Sequence, residues 1–275
     1  MRASTAVVAL RLTLALPVAV VMGTPANAQQ IRSVLPSAPA RQVASVRDTI
    51  TTSYTVSGVQ VIHRQGTANL VVVNLYLLGG VRNSTPETAG VEPFYLAVSE
   101  QGTERHSKDA LRRAMARTGS STALDASDDW TLFGIRTTTE VLDSVWGIFT
   151  DRLLRPRLDP AEIDFIRNQA LSGLVQVNEH PEPLLARAVD SIAFRGHPYG
   201  LSPTGSAASL TAITRESLLQ WKREQLVKSR MLLVVVGNVP RAKLEQMVAS
   251  SLGTLPAGAY AWTMPDTLPA RASSL

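Results

Sequence analysis

The side chains that could do chemistry are sparse in this sequence and form no clear cluster. The four histidines are His63, His106, His180 and His197. Glu104 and His106 have the residue types of metal ligands, but two such residues on a loop indicate a solvated surface more often than a metal site. Asp125, Asp128 and Asp129 lack the central glycine and terminal glutamate of a calcium-binding loop. The sequence contains neither a G-x-S-x-G nucleophile motif nor a phosphate-binding loop.

The stretch from residue 79 to residue 103 reads GGVRNSTPETAGVEPFYLAVSEQGT, and the rest of the chain is organised around it. It predicts a turn followed by a short apolar helix. Pro93, Leu96 and Ala97 lie at positions i, i+3 and i+4 of this helix, so they share one face. None of these three side chains offers a lone pair or a titratable proton to a metal or a water molecule.

The most specific pattern is an ordered set of motifs in the last third of the chain. Residues 196–200 read GHPYG, residues 209–221 read SLTAITRESLLQW, and residues 231–239 read MLLVVVGNV. Together they predict a turn, a helix capped by Thr214 and a buried strand. His197 belongs to the turn, where a structural hydrogen bond is expected rather than a catalytic role.

These motifs and the 79–103 stretch resemble the insulinase, pitrilysin and mitochondrial-processing-peptidase family of zinc metallopeptidases, over roughly residues 50–258. In that family the helix carries H-x-x-E-H, whose two histidines bind zinc while the glutamate activates the metal-bound water. Aligned on the conserved glycine frame of the family, those positions are Pro93, Leu96 and Ala97 here. The resemblance implies a family scaffold without its zinc site, so no metal cofactor is expected.

Two further parts of the family's site are also changed. The third zinc ligand, a glutamate on a later helix, aligns with Gly173. In the family, an Asn-Ala pair lies at a sheet edge that holds the peptide substrate by strand addition. This pair aligns with Ala123 and Leu124, and the side-chain amide that would steady a peptide is absent. The resemblance implies Ala123, Leu124 and Asp125 as a substrate-binding edge.

The predicted fold is α+β, a mixed and largely antiparallel sheet with helices packed mainly on one face, as the resemblance implies. Residues 69–78 are a dense β-branched and leucine run, which predicts a strand covered on both faces. Asp159, followed by Pro160-Ala161-Glu162, predicts a helix start with the aspartate as N-cap. Glu92 and Glu100 lie off the aligned helix face and are predicted to be solvated charges.

Residues 1–28 predict a secretory signal peptide, because arginines flank an apolar run that precedes the A-x-A cleavage site Ala26-Asn27-Ala28. Cleavage removes two arginines and no acidic residue, so the formal charge falls from +5 to +3, too mild a charge to indicate nucleic acid as a partner. No later segment approaches membrane-spanning length, so no membrane span is expected after cleavage. The absence of cysteine fits a Gram-negative periplasm, and we expect a periplasmic or secreted protein.

The composition also predicts the domain organisation. Residues 29–47 are rich in Ser, Pro, Ala and Arg and are predicted to be a flexible leader. Residues 48–258 are predicted to form one peptidase half-domain of the insulinase type, and residues 259–275 a tail or a truncated linker between two halves. Family proteins pair two such halves around a chamber, so the resemblance implies a zinc-bearing partner subunit or a missing second half.

Three functions are compatible with these observations. The leading hypothesis is an exported, non-catalytic member of the family that pairs with an active zinc metallopeptidase and helps to enclose a peptide substrate. The second is a peptide- or protein-binding assembly module that uses its exposed sheet edge and has no role in proteolysis. The third is an active zinc metalloendopeptidase with rearranged ligands, for which the sequence shows no compensating His/Glu cluster.

Overall fold

A computed structural model of the chain describes residues 50–261. The predicted signal peptide, the predicted leader and residues 262–275 of the predicted tail lie outside the described residues. In chain order the elements are β1 (Thr51–Val56), β2 (Val59–Gln65), β3 (Leu70–Leu78), α1 (Val91–Ser99), α2 (Lys108–Arg117), β4 (Ser121–Ala126), β5 (Trp130–Thr138), α3 (Leu142–Leu154), α4 (Pro160–Glu179), α5 (Pro181–Ala193), α6 (Ala207–Ala212), α7 (Arg215–Gln225), β6 (Met231–Gly237) and α8 (Arg241–Ser250). None of the described helices is both long enough and apolar enough to cross a membrane.

The six described strands form one sheet in the order β1-β2-β6-β3-β5-β4. Neighbouring strands are antiparallel except β2 and β6, which run parallel. β1 and β2 are joined by a tight turn at Ser57 and Gly58, both of which have the positive φ that a two-residue hairpin turn requires. The predicted fold class, α+β with a mixed and largely antiparallel sheet, is therefore confirmed.

One face of the sheet carries the core. Along β3, Val71, Val73, Leu75 and Leu77 are fully buried, whereas the residues between them are only partly buried. The prediction that this strand is covered on both faces is therefore wrong for the part of the chain that the structure describes. A continuous apolar sequence is compatible with a strand whose second face is fully covered and with one whose second face is half covered. The sequence pattern shows which residues are apolar, but not which elements pack over them.

The helix starts mostly follow their local sequence signals. The Ser107 side chain accepts a hydrogen bond from the Ala110 N–H at the start of α2, and Thr214 forms a reciprocal capping box at the start of α7. Helix α4 begins at Pro160 as predicted, but the side chain of Asp159 makes no capping hydrogen bond. Its carboxylate lies 3.6 Å from the guanidinium of Arg157.

Glu92 lies in the first turn of α1 and Glu100 follows its last residue, and the prediction that both are solvated charges is wrong for Glu92. Glu92 is 8% exposed, and its carboxylate lies 2.7 Å from Nη2 of the buried Arg230. Arg230 also donates to the carbonyl oxygen of Leu78 at 2.7 Å, so this ion pair ties α1 to the end of β3. Glu100 is partly exposed but lies 2.6 Å from the guanidinium of Arg152. In both cases an arginine distant in sequence folds against the carboxylate.

Helix α5 is poorly covered by the rest of the described chain. None of its residues is buried. Its exposed large apolar side chains are Leu184, Leu185, Val189 and Ile192. Because these residues recur at helical spacing, they form an apolar stripe, which we call the α5 ridge.

Candidate binding site at helix α1

Two glycines fix the start of α1. Gly90 precedes the helix with φ +87°, and a Cβ there would lie 2.7 Å from the carbonyl oxygen of Thr204. Gly205 faces it with φ +89°, and a Cβ there would lie 2.8 Å from the carbonyl oxygen of Ala89. The two segments therefore cross in direct backbone contact, which only glycine permits at both positions. This crossing sets where the first turn of α1 lies.

An apolar cavity beside α1 brings together most of the positions that the sequence singled out. Its volume is about 370 Å³, and Pro93, Ala97, Gly173 and Leu124 all line it. Its other lining residues are Gly90, Phe94, Ile166, Ala170, Leu174, Val177, Thr204 and Leu210. We call this space the α1 cavity. Three of the four positions aligned with the family's metal site, and one residue of the predicted substrate edge, thus meet at one place.

Leu96, the fourth aligned position, does not line the α1 cavity. Its side chain is fully buried in the hydrophobic core. The neighbouring Tyr95 is also fully buried, and its hydroxyl donates a hydrogen bond to the carbonyl oxygen of Leu153 at 2.8 Å. Burial raises the pKa of Tyr95, so the phenol stays neutral and serves as a donor. Helix α1 is therefore positioned by packing and hydrogen bonding that involve no metal ligand.

The residues around the α1 cavity do not fit the zinc ion that active family members bind. Zinc takes thiolate, imidazole or carboxylate ligands, and Thr204 is the one lining residue whose side chain carries a heteroatom. Across residues 50–261, no group of three or more His, Cys, Asp or Glu residues is placed to hold a metal ion. His106, considered above as a ligand with Glu104, instead lies 3.6 Å from the buried carboxylate of Asp151. No catalytic step through zinc follows from this set of residues.

Strand β4 provides an open edge next to the α1 cavity. It is the outermost strand on its side of the described sheet, and five of its six residues are exposed. Side chains alternate along a strand, so Leu124 faces the cavity while Ala123 and Asp125 lie on the opposite face. An edge strand has backbone N–H and C=O groups without partners in its own sheet, which is the arrangement that pairs with an extended peptide. The substrate-binding role of this edge stays a prediction.

A second pocket, of about 390 Å³, lies at the other end of α1. Arg152 lines it and is 3% exposed, with its guanidinium 2.6 Å from Glu100 and 4.8 Å from the ring centroid of Phe133. The hydroxyl of Thr122, on β4, donates to the same Glu100 carboxylate at 3.0 Å. Arg112 also lines this space, which we call the Arg152 pocket. Its charged residues lie on separate elements and form no local motif, so no pattern in the sequence indicates this pocket.

The charges around the Arg152 pocket favour the binding of a negatively charged group. Burial lowers the pKa of Arg152, and the neighbouring Glu100 carboxylate acts in the opposite direction. The guanidinium remains charged, since its ordinary pKa lies far above neutrality. Its Nε–H has no hydrogen-bond partner among the described residues. This nitrogen is itself buried, so an anion in the pocket is attracted by the positive charge of Arg152 and does not reach this N–H.

The GHPYG turn is held by a separate polar contact. Nδ1 of His197 accepts a hydrogen bond from the Tyr199 N–H at 3.2 Å, which is the structural role expected for this histidine. The Tyr199 hydroxyl donates to Asp129 at 2.7 Å, and Arg82 lies 3.6 Å from the same carboxylate. Burial and the adjacent Asp129 raise the pKa of Tyr199. Asp129 therefore anchors the turn.

Comparisons with protein families and curated proteins agree with this geometry. The family model "Insulinase (Peptidase family M16)" matches residues 60–206, and the model "Peptidase M16 inactive domain" matches residues 212–273. The chain is 28% identical over 235 residues to mitochondrial-processing peptidase subunit alpha of Bos taurus, covering 82% of this chain and 45% of that protein. It is 23% identical over 212 residues to cytochrome b-c1 complex subunit 1 of Caenorhabditis elegans, covering 77% of this chain and 43% of that protein.

A solved structure gives the same fold. The peptidase M16 inactive domain from Pseudomonas fluorescens matches with a TM-score of 0.72 at 18% identity, covering 78% of this chain and 53% of that chain. At this identity the match supports the architecture alone. The present chain spans less than half of the length of the two curated relatives.

Proposed function

The chain belongs to the insulinase (peptidase M16) family, and we propose that it is an exported, non-catalytic member that pairs with a zinc-bearing family subunit. Its part in the pair is to help enclose and hold a peptide substrate. One observation carries the proposal. Pro93, Ala97 and Gly173, which align with the three zinc ligands, converge on the α1 cavity and present no metal-binding atom there.

The convergence itself supports the alignment. Gly173 lies on α4, far along the chain from Pro93 and Ala97 on α1, yet all three line one cavity of the folded molecule. Zinc-assisted hydrolysis needs three protein ligands and a base for the metal-bound water. The position of the base is occupied by Leu96, which is fully buried in the core. Both functions of the site are therefore replaced by hydrocarbon.

Exposed apolar surface supports a pairing role. On the α5 ridge, the exposed fractions of Leu185, Val189 and Ile192 are 65%, 53% and 55%. A contiguous apolar patch of this kind marks interaction surfaces on soluble proteins. The curated relatives described above are both named as subunits, and this chain spans less than half of each. We therefore assign the α5 ridge to the interface with the partner.

The proposal of export rests on residues 1–28, whose composition predicts a signal peptide. We propose a periplasmic or secreted location on this basis. Sequencing the N-terminus of protein from its native host tests it, and a mature chain that begins at Gln29 is the expected result. A chain that retains Met1 in the cytoplasmic fraction would contradict export.

Metal analysis combined with co-purification tests the non-catalytic role. The isolated chain is expected to contain no stoichiometric zinc and to show no chelator-sensitive peptidase activity. When the chain is purified from the native host, the bound partner is expected to be a family member with an intact H-x-x-E-H motif. The pair is expected to cleave peptides in a chelator-sensitive manner. Stoichiometric zinc in the isolated chain would overturn the proposal.

One observation favours a second function. The relative from Caenorhabditis elegans is named as a subunit of the cytochrome b-c1 complex, not as a peptidase. On this alternative, the chain is a peptide- or protein-binding assembly module that uses the open edge of β4 and never contributes to proteolysis. A stable partner without the H-x-x-E-H motif, together with a complex that lacks peptidase activity, would identify this function.

A further inference from the structure

We propose that the α1 cavity and the Arg152 pocket are two side-chain subsites for one extended peptide. The peptide pairs with the open edge of β4 and carries an apolar residue and an acidic residue two positions apart. This inference rests on the proposed peptide-holding function and specifies the class of peptide that is held.

The two pockets lie on the same side of β4. Thr122 and Leu124 are alternate residues of this strand, so their side chains share one face at a separation of about 7 Å. Thr122 contacts Glu100, just beyond the end of α1, whereas Leu124 lines the α1 cavity with Pro93 and Ala97. Helix α1 therefore runs beside β4, with the α1 cavity along the helix and the Arg152 pocket beyond its C-terminal end.

An extended peptide matches this spacing because its own side chains alternate in the same way. When it pairs with the edge of β4, every second side chain projects to the helix-covered face. One of these reaches the α1 cavity, and the next on that face reaches the Arg152 pocket. A fatty acid could fill both pockets but has no backbone groups to pair with an edge strand. The exposed edge therefore favours a peptide as the occupant.

The α1 cavity selects an apolar side chain. Its volume of about 370 Å³ falls in the range of ligand-binding pockets, and its lining is almost entirely hydrocarbon. A Cβ added at Gly173 meets no atom within 4 Å, which confirms open space on the α4 side of the cavity. A leucine or phenylalanine side chain placed there loses its contact with water and leaves no polar group unpaired.

The Arg152 pocket selects a carboxylate. Arg152 is 3% exposed, its Nη2 is engaged by Glu100, and its unpaired Nε is buried, so it contributes its positive charge to the pocket. Arg112 adds a second guanidinium to the lining, so the pocket holds two cations and one anion. A glutamate or aspartate side chain restores the charge balance and forms an ion pair with Arg112. Charge-assisted hydrogen bonds of this kind are stronger than those between neutral groups.

Peptide binding to the purified chain tests the pattern directly. The probes are end-blocked, fluorescein-labelled threonine-rich hexapeptides with leucine and glutamate two positions apart, in both orders. Replacing the leucine by serine or the glutamate by glutamine is expected to weaken binding about tenfold, as measured by fluorescence anisotropy. Moving the glutamate by one position should have the same effect, because its carboxylate then points to the other face. Equal affinity for all the peptides would overturn the proposal.

Substitutions of glycine by leucine distinguish an effect of filling the α1 cavity from an effect of unfolding the chain. Gly173→Leu fills open space in the α1 cavity and is expected to lower affinity for the leucine peptide about tenfold, with the far-UV circular dichroism unchanged. Gly147→Leu is the matched control. Gly147 is an exposed residue of α3, has open space around a Cβ and lines neither subsite. If both variants bind the peptide like the unmodified chain, the α1 cavity is not a subsite.

Charge reversal tests the acidic subsite. Arg112→Glu is expected to abolish the preference for the glutamate peptide over its glutamine counterpart, because the pocket then holds two anions and one cation. An unchanged preference would show that the carboxylate binds elsewhere and would overturn this half of the proposal.

Backbone methylation tests the pairing with β4. N-methylation of one alternate set of peptide amides is expected to weaken binding, and methylation of the other set is not, because only one set faces the strand. Equal effects of the two sets, or binding of straight-chain fatty acids without binding of peptides, would overturn the proposal. Either failure leaves the pairing function intact, since co-purification and zinc analysis do not depend on peptide preference. Conversely, peptide binding by the isolated chain stands even if no zinc-bearing partner is found.

Discussion

Helices α1 and α5 are both rich in apolar residues, but they differ in how far the rest of the fold buries them. Seven of the nine residues of α1 are buried, whereas none of the 13 residues of α5 is. The described chain covers most of α1 and leaves α5 largely exposed. The comparison teaches that apolar spacing predicts a surface to be covered, without telling whether the covering element belongs to the same molecule.

The contacts of α1 also show that its position in the fold does not depend on the residues that line the α1 cavity. Glu92 is paired with Arg230, and Tyr95 is hydrogen-bonded to the main chain of Leu153. These contacts lie on the core side of the helix, away from the α1 cavity. The side of α1 that faces the cavity is therefore free to change its chemistry, while the core side maintains its position.

The largest expected effect comes from breaking the buried ion pair that holds α1. Glu92→Gln is expected to lower the free energy of unfolding by about 3–5 kcal/mol, because the buried Arg230 cation loses its counter-charge. Urea denaturation followed by circular dichroism measures the change. The double variant Glu92→Leu/Arg230→Met removes both charges and is expected to cost much less. A loss below about 1 kcal/mol in the single variant would mean that the pair does not stabilise α1.

Restoring ligands on the two sides of α1 is expected to give opposite results. Leu96→Glu places a carboxylate in the core and should cost about 2–5 kcal/mol. Pro93→His/Ala97→His/Gly173→Glu places three ligands around one cavity and should create zinc binding, seen by equilibrium dialysis and by a zinc-dependent rise in Tm. The variant without Gly173→Glu is the control and should bind zinc more weakly. A folded triple variant without zinc affinity would contradict the alignment of these positions.

The α5 ridge is expected to affect pairing and not folding. Leu185→Ser/Val189→Ser should change the free energy of unfolding by less than about 0.5 kcal/mol, because both side chains are already exposed. The same variant should bind the partner subunit about tenfold more weakly, measured by surface plasmon resonance. Ala186→Ser/Asp190→Ser on the other side of α5 is the matched control and should leave affinity unchanged. Equal affinity of the two double variants would exclude the ridge from the interface.

The smallest expected effect distinguishes two glycines that line the same cavity. Gly173→Ala should raise the free energy of unfolding by about 1 kcal/mol, because alanine favours the helix and meets open space. Gly90→Ala should instead destabilise the chain, since φ is +87° and a Cβ would lie 2.7 Å from the Thr204 carbonyl oxygen. Thermal denaturation of the two variants gives the comparison. A stabilised Gly90→Ala protein would show that the crossing beside α1 is not tight.

Local and motif-level features of this molecule were predictable from the sequence. The capping of α7 by Thr214, the structural role of His197 and the sheet class all match the structure. The alignment also grouped Pro93 with Gly173, and both line the α1 cavity, although nothing in either residue type indicates that they lie close together. Such predictions succeed because a helix cap depends on residues that are close in sequence, and because the order of motifs along the chain is shared within a family.

Long-range polar contacts were not predictable. Glu92 and Arg230 are 138 residues apart, and each reads as an ordinary surface charge until the fold brings them together. The same holds for Glu100 and Arg152, and therefore for the whole Arg152 pocket. A sequence pattern indicates which residues are polar and what local structure they form. Which residue pairs with a given charge depends on how the fold brings distant segments together.

The place of β6 in the sheet has a consequence for how the chain acquires its structure. This last strand lies between β2 and β3, with Ile62 beside Val234 and Val234 beside Asn74. A nascent chain that ends before Met231 therefore holds two separate groups of strands with an open gap between them. Closure waits for nearly the whole domain to be synthesised, which delays cooperative folding. For a protein translocated in an extended form, as the proposed export requires, this delay keeps the polypeptide threadable until it has crossed.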